Sequence, residues 1–326
     1  MKIGIVISGG DVSGINNFIF QIAKLANAQI TLFNGGISGL LEKNHHEVSW
    51  RDLVDFSITS IPVIASGRTT RKLQRSEYDI IAKKIKSLRL DILIMAGGDG
   101  SLQFLNTLSE FDINCFGVGM TIDNDVYGSD YTIGFSTACE QIIKEVSRLR
   151  NTGRALPGRV FMVEILGGYC GELTLQSAIK SNADIALIPE SQIPLDMLAD
   201  RVKQKLIDQN SVIILCSEGY TREYSPGFQG AIDTMIKQLE PRIGVRIRKT
   251  IVGYGLRSGD PTCEEIYQGT IMANEVVRCI RAGMKNKAII INSSNKPIPI
   301  DLISMKKRLV DTEGHYYKLA KQLNII

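Results

Sequence analysis

Histidine is scarce in this chain. Only His45, His46 and His315 occur in 326 residues, the first two in a polar loop, and none has the spacing of a metal site. The six cysteines, at positions 115, 139, 170, 216, 263 and 279, never form C-x-x-C. Each lies among apolar or helix-like neighbours, which predicts buried thiols in a reducing cytosol and argues against zinc and disulfides. The dipeptide Gly-Lys does not occur, which excludes the usual P-loop and its phosphate-binding lysine. The H-R-D and D-F-G signatures of protein kinases are missing as well. Apolar runs such as Ala288–Ile291 fall far short of a membrane span. The opening MKIGIVISGGD breaks at Gly-Gly-Asp before a signal-peptide core could form, and it reads as a first strand. A net charge of +4 is too weak for a nucleic-acid footprint. These absences leave a cytoplasmic protein with no nucleic-acid partner, no membrane partner and no structural metal as the expectation.

What is present is an alternation. β-branched runs at 2–8, 29–33, 91–96, 115–119, 159–165, 183–188, 211–216 and 288–291 are apolar almost without interruption. That pattern predicts strands buried on both faces, as in a parallel sheet covered by helices. Amphipathic segments at 138–150, with Ile142, Ile143, Val146 and Leu149 at helical spacing, and at 198–209 predict intervening helices. The fold class expected is α/β with two doubly wound, Rossmann-like domains and mainly parallel sheets. The loop 152–159, TGRALPGR, is the best candidate for a passage between the halves.

Two features carry chemistry. VISGGD (6–11) and IMAGGDG (94–100) both join an apolar strand to Gly-Gly-Asp. Two glycines there let the backbone approach an anion and point amides at it, and the aspartate can hold magnesium. The second feature is TIDNDVYGSD (121–130), with three aspartates and an asparagine and no histidine nearby. An isolated Asp/Asn cluster is most often a polar turn that satisfies its own backbone.

Taken in order, GIVISGGDVSGINN (4–17), SGR (66–68), GGDGS (97–101), TIDND (121–125) and DYTIGFSTA (130–138) resemble the 6-phosphofructokinases. So do RVFMVEILGGYCGELTL (159–175), SEG (217–219) and RKTIVGYGLRSGDP (248–261), and the likeness runs through nearly the whole chain. NAD kinases and diacylglycerol kinases share the GGDG loop but have no counterpart to the full 121–138 stretch. The polar-turn reading gives way.

The resemblance implies phosphoryl transfer from ATP with Mg2+ to the 1-hydroxyl of fructose 6-phosphate, with diphosphate as the alternative donor. It assigns Asp123 as the base, Thr121 and Asp125 as groups that orient it, and Asp99 as the magnesium ligand. Gly10, Gly98, Gly100, Ser101 and Arg68 match the positions along the donor phosphates. Arg159, Arg248, Arg257 and Tyr254 match the sugar-phosphate positions, and Glu218 matches a carboxylate on the sugar hydroxyls. The family's architecture implies a larger domain, 1–137 plus about 255–302, and a smaller one, 138–254 plus about 303–326, with the active site between them. It also implies a homotetramer in which Arg159 and Arg248 reach in from a neighbouring subunit.

Several positions depart from the family pattern. Gly168 stands where an arginine is usual, and such an arginine can be worth about 10³-fold in rate. Tyr254 replaces a histidine, and a tyrosine cannot become a cation near neutral pH. Phe104 and Ile37 alter the wall expected beside a purine. Gly100 fits ATP use, while Met120 fits neither donor class. Phe20 replaces one effector-site arginine, with Lys24 near the other, so effector control does not transfer. A competing reading is therefore a different sugar-phosphate kinase, or a non-catalytic relative that binds a sugar phosphate as a regulatory subunit.

Overall fold

The computed structural model describes residues 1–326 except 43, 70, 225–229 and 303–306, with the backbone alone at 223 and 224. Its strands are β1 (Lys2–Ser8), β2 (Gln29–Phe33), β3 (His45–Val48), β4 (Ile92–Gly97), β5 (Cys115–Gly119), β6 (Arg159–Ile165), β7 (Ile185–Leu187), β8 (Ser211–Ser217), β9 (Ile247–Ile251), β10 (Lys287–Ile291) and β11 (Pro297–Asp301). They form two sheets, one in each of two compact units.

Unit 1 comprises 1–137 and 257–308. Its sheet runs β11-β10-β5-β4-β1-β2-β3, parallel throughout its centre, with the edge strands β3 and β11 antiparallel to their neighbours. β4 and β5 are buried at every residue, as their apolar sequences require. The helix Ile15–Ala26 follows β1 and buries Phe18, Ile19 and Ile22. The helix Asp99–Ser109 follows β4 and packs Leu102, Leu105 and Leu108 into the core.

Unit 2 comprises 138–256 and 309–326, with an all-parallel sheet β7-β8-β6-β9. Its core gathers Val160, Met162, Ile214, Leu239 and Tyr220. Division between the units falls at Thr137, in the first turn of the helix Phe135–Ala155. The loop 152–159 is not that passage: it lies inside unit 2, helical as far as Ala155, with Arg159 opening β6. The crossing expected near 302–303 falls on residues outside the described ones.

Three strands escape the sequence pattern, and two further expectations are corrected. His45 and His46 do not lie in a loop but in β3, where His45 pairs with Phe33 and His46 with Leu32. β9 and β11 likewise add edges to their sheets. Cys263 is exposed, at the start of the helix Cys263–Arg281, whereas the other five cysteines are buried, and all six are free. Among the described residues no helix is long and apolar enough to cross a membrane.

Candidate active site

From β1 the chain of unit 1 runs one way to β2 and the other way to β4, so a crevice opens at the carboxyl ends of β1 and β4. Three loops converge there. Gly9, at φ 112°, donates its N–H to the Gly67 carbonyl at 3.0 Å, and the Arg68 Nε donates to the Gly9 carbonyl at 3.2 Å. The Ser101 hydroxyl donates to the Ser8 carbonyl at 3.3 Å, which ties the β4 loop to the β1 loop. These loops line a cavity of 740 Å³, with Gly9, Arg68, Gly98, Asp99, Gly100 and Ser101 on its wall. Asp99 is the first residue of the helix Asp99–Ser109, so the free amides and positive dipole end of that helix face the cavity. A Cβ at Gly98 or Gly100 would meet nothing within 4 Å, so both leave the backbone open on that side.

The cavity's other wall is aromatic. Phe104 is buried and stacks on Tyr78 at 5.2 Å, and Tyr78 stacks on Phe111 at 6.0 Å. Phe104 is thus a core side chain and a lining residue at once, beside Ile37.

β5 delivers the aspartate-rich loop to the same end of the sheet. Gly119 stands opposite Gly97, and the Met120 N–H donates to the Gly97 carbonyl at 3.0 Å. Asn124 takes the left-handed conformation, φ 51°, which asparagine tolerates, and its amide donates to the Asp130 carbonyl at 3.1 Å. The Thr132 hydroxyl donates to the Thr121 carbonyl at 2.7 Å, and the Thr121 hydroxyl accepts the Asp123 N–H at 3.2 Å. Asparagine and the threonines close the turn. Asp125 is buried, with the Lys307 Nζ 3.1 Å away. Burial raises the Asp125 carboxyl, Lys307 opposes this, and the like charge of Asp99 adds to the rise.

Among the described residues no three His, Cys, Asp or Glu side chains cluster closely enough to hold a metal by themselves. Magnesium needs no such cage, since it takes one or two carboxylates together with waters and ligand phosphates. Asp99, on the cavity wall at a helix start, fits that role.

Arg257 also belongs to unit 1, where its Nη1 lies 1.8 Å from the place a Cβ on Gly10 would occupy. Gly10 is glycine to admit that guanidinium.

In unit 2, Glu218 follows β8 and accepts the N–H groups of Gly167 and Gly168 at 3.1 and 2.7 Å. Gly168 has φ 57°, so the position that lacks an arginine is a left-handed turn whose amide holds a carboxylate. Arg222 places its guanidinium over the Tyr169 ring at 4.7 Å, a cation beside that turn. Glu164, near the end of β6, is raised by burial and then by Glu218. Tyr254 follows β9 and is 78% exposed. Arg159 opens β6 and Arg248 pairs with Phe161, so both arginines sit towards the amino ends of their strands. Ile165 lies six positions beyond Arg159, about 20 Å of strand. Within one unit, Arg159 and Glu218 are not brought together. Sequence reasoning also missed Tyr78 and Lys307: a lone tyrosine in a charged helix and a lysine in a basic run give no signal at a distance.

The phosphofructokinase family pattern matches residues 2–280. An ATP-dependent 6-phosphofructokinase of Clostridioides difficile is 30% identical, covering 99% of both chains. A pyrophosphate–fructose 6-phosphate 1-phosphotransferase of Thermoproteus tenax is 29% identical over 98% of this chain and 97% of its own. Among solved structures, Pichia pastoris phosphofructokinase in the T-state superposes with a TM-score of 0.83 at 25% identity. That match covers 98% of this chain, which spans 38% of the Pichia chain.

Proposed function

Because the chain belongs to the phosphofructokinase family, we propose that it transfers the terminal phosphoryl group of ATP to the 1-hydroxyl of fructose 6-phosphate in the cytoplasm. The observation that carries this reading is the meeting of the Gly98–Ser101 cradle with the Thr121–Asp125 loop at the ends of adjacent strands. Asp123 takes the proton of the 1-hydroxyl as its oxygen bonds to phosphorus, and the bond to the departing diphosphate of ADP breaks. Thr121 fixes the backbone of Asp123, and Asp125 orients the loop. The amides at Gly98, Gly100 and Ser101, with Arg68, bind the donor phosphates, and Gly10 gives Arg257 its place. Asp99 would hold Mg2+, which when bound neutralises donor phosphate charge. Glu218 fixes sugar hydroxyls and Tyr254 donates to the sugar phosphate. Arg159 and Arg248 complete that subsite from a neighbouring subunit of a homotetramer, which agrees with their distance along the sheet from Glu218.

A second donor, diphosphate, is supported by the Phe104–Tyr78 stack beside the phosphate cradle and by the Thermoproteus relative. Single-turnover phosphorylation of fructose 6-phosphate by excess enzyme with Mg2+ compares the two donors. Turnover with ATP, abolished by Asp123→Ser without loss of fructose 6-phosphate binding, is the expected result. Turnover with diphosphate alone would replace the donor. Sugar-phosphate binding with no turnover from either donor would make the chain a regulatory relative.

A further inference from the structure

We propose that Lys307 is a positioning residue that acts through Asp125, a built-in counter-charge that weakens divalent-cation binding at Asp99 while fixing the Thr121–Asp125 loop for turnover. The inference rests on the reading of those carboxylates given above. Lys307 is 182 residues along the chain from Asp125, and topology joins them. The described chain resumes after β11 at Lys307, which forms an antiparallel bridge with Val126. Its neighbour Arg308 donates its N–H to the Asp125 carbonyl at 2.6 Å, donates from its guanidinium to the Ser129 carbonyl, and pairs with Asp130 at 3.2 Å. Residues 307 and 308 thus grip the aspartate loop from 125 to 130.

Their charges have different stations. Arg308 meets Asp130 at the loop's outer end, where that carboxylate is half-exposed. Lys307 meets Asp125, whose side chain is only 6% exposed, at 3.1 Å. Burial works to lower the Lys307 ammonium, yet Asp125, then Asp99 and Asp123, together hold it above the ordinary lysine range. One cation therefore feels all three carboxylates. Such a buried carboxylate left without its partner is strongly destabilising. The same cation repels any divalent ion that approaches Asp99, so its removal should strengthen metal binding while disordering the reacting loop.

Mn2+ binding followed by electron paramagnetic resonance, with no substrate present, tests the charge role on the full-length wild type, Lys307→Met, Lys307→Arg and Arg308→Ala. Lys307→Met is expected to bind Mn2+ roughly 10-fold more tightly. In single turnover it should lose at least roughly 10-fold in rate with little change in the KM of fructose 6-phosphate. Lys307→Arg should restore both, and Arg308→Ala should lower the melting temperature without tightening Mn2+. An unchanged Mn2+ affinity in a folded Lys307→Met, or equal tightening in Arg308→Ala, would overturn the proposal, since the latter reduces Lys307 to a loop anchor. The Mn2+ arm needs no turnover, so an inactive wild type would refute the phosphotransferase reading and leave this one to be decided separately.

Discussion

Gly9-Gly10-Asp11 follows β1 and Gly97-Gly98-Asp99 closes β4, and these strands are neighbours, but Ser8 stands opposite Gly97. The second copy is therefore drawn one residue further into its strand. In the first copy Gly10 makes room for protein, while Gly9 opens onto the cavity. The missing Cβ of Gly10 admits Arg257, and a Cβ at Gly14, the cap of the next helix, would lie 2.5 Å from Glu265 Cγ. Asp11 is left exposed four residues before that helix, beside a minor cavity it shares with Arg257. In the second copy Gly98 and Gly100 open onto space, and Asp99 itself starts the helix. Each tripeptide thus has one open glycine on the cavity wall, Gly9 or Gly98, and one packed glycine. The packed one is second in the first copy, Gly10 against Arg257, and first in the second, Gly97 against Ser101 and Ser8.

The largest test of that contrast exchanges each aspartate. Asp99→Asn should slow single turnover about 10²- to 10³-fold by removing the charge from the cavity wall. Asp11→Asn should cost less than about 10-fold, because its carboxylate lies on the packing side. Equal losses at the two positions would end the distinction between the loops.

How far the sequence could be read follows from where information is local. β1, β4, β5 and β8 are legible because burial on both faces demands unbroken apolar residues. β3, β9 and β11 are edge strands and carry His45, Arg248, Lys249, Pro297 and Pro299, which a central strand would reject and an edge accepts. In the site, Gly98, Asp99 and Asp123 lie in motifs whose loops are built by adjacent residues. Lys307 and Arg257 reach their places only through the fold, and nothing near them in the chain announces the contact. The reason for Gly10 is equally remote, since its cause is a side chain 247 positions away.

The second test concerns what lies behind the first loop. Glu265 is fully buried and accepts N–H bonds from Gly134 at 2.7 Å and Thr137 at 3.2 Å. Burial nevertheless pushes it up to about 7 from 4.5. A raised carboxyl binds its proton more tightly in the folded chain, so its contribution to stability is complete below about pH 4.5 and is lost as pH rises through about 7. Relative to Glu265→Gln, wild type should lose about 3 kcal/mol across that window, measured by urea unfolding at several pH values. A stability difference that stays flat with pH would show that this carboxyl is already ionised in the fold.

Gly10→Ala should then act through Arg257. The guanidinium is the mobile end of a long side chain, so it can move aside and the melting temperature should change little. The KM for fructose 6-phosphate should rise about 10-fold, as it should in Arg257→Ala, through loss of a charged hydrogen bond. The double variant should be no worse than either single one, because both remove the same placement. Additive losses would separate Gly10 from Arg257.

Gly98→Ala should have the smallest effect on the fold. Alanine is a poorer helix cap than glycine, but it also loses less backbone entropy on folding, and each contribution is under about 1 kcal/mol and opposite in sign. With φ at −80° and open space beyond, alanine strains nothing at this position. Its methyl group instead projects into the cavity, so the KM for the phosphoryl donor should rise several-fold while stability stays within about 0.5 kcal/mol of wild type. A marked fall in melting temperature with unchanged donor KM would end the contrast between Gly10 and Gly98, since it would make Gly98 a packing glycine too.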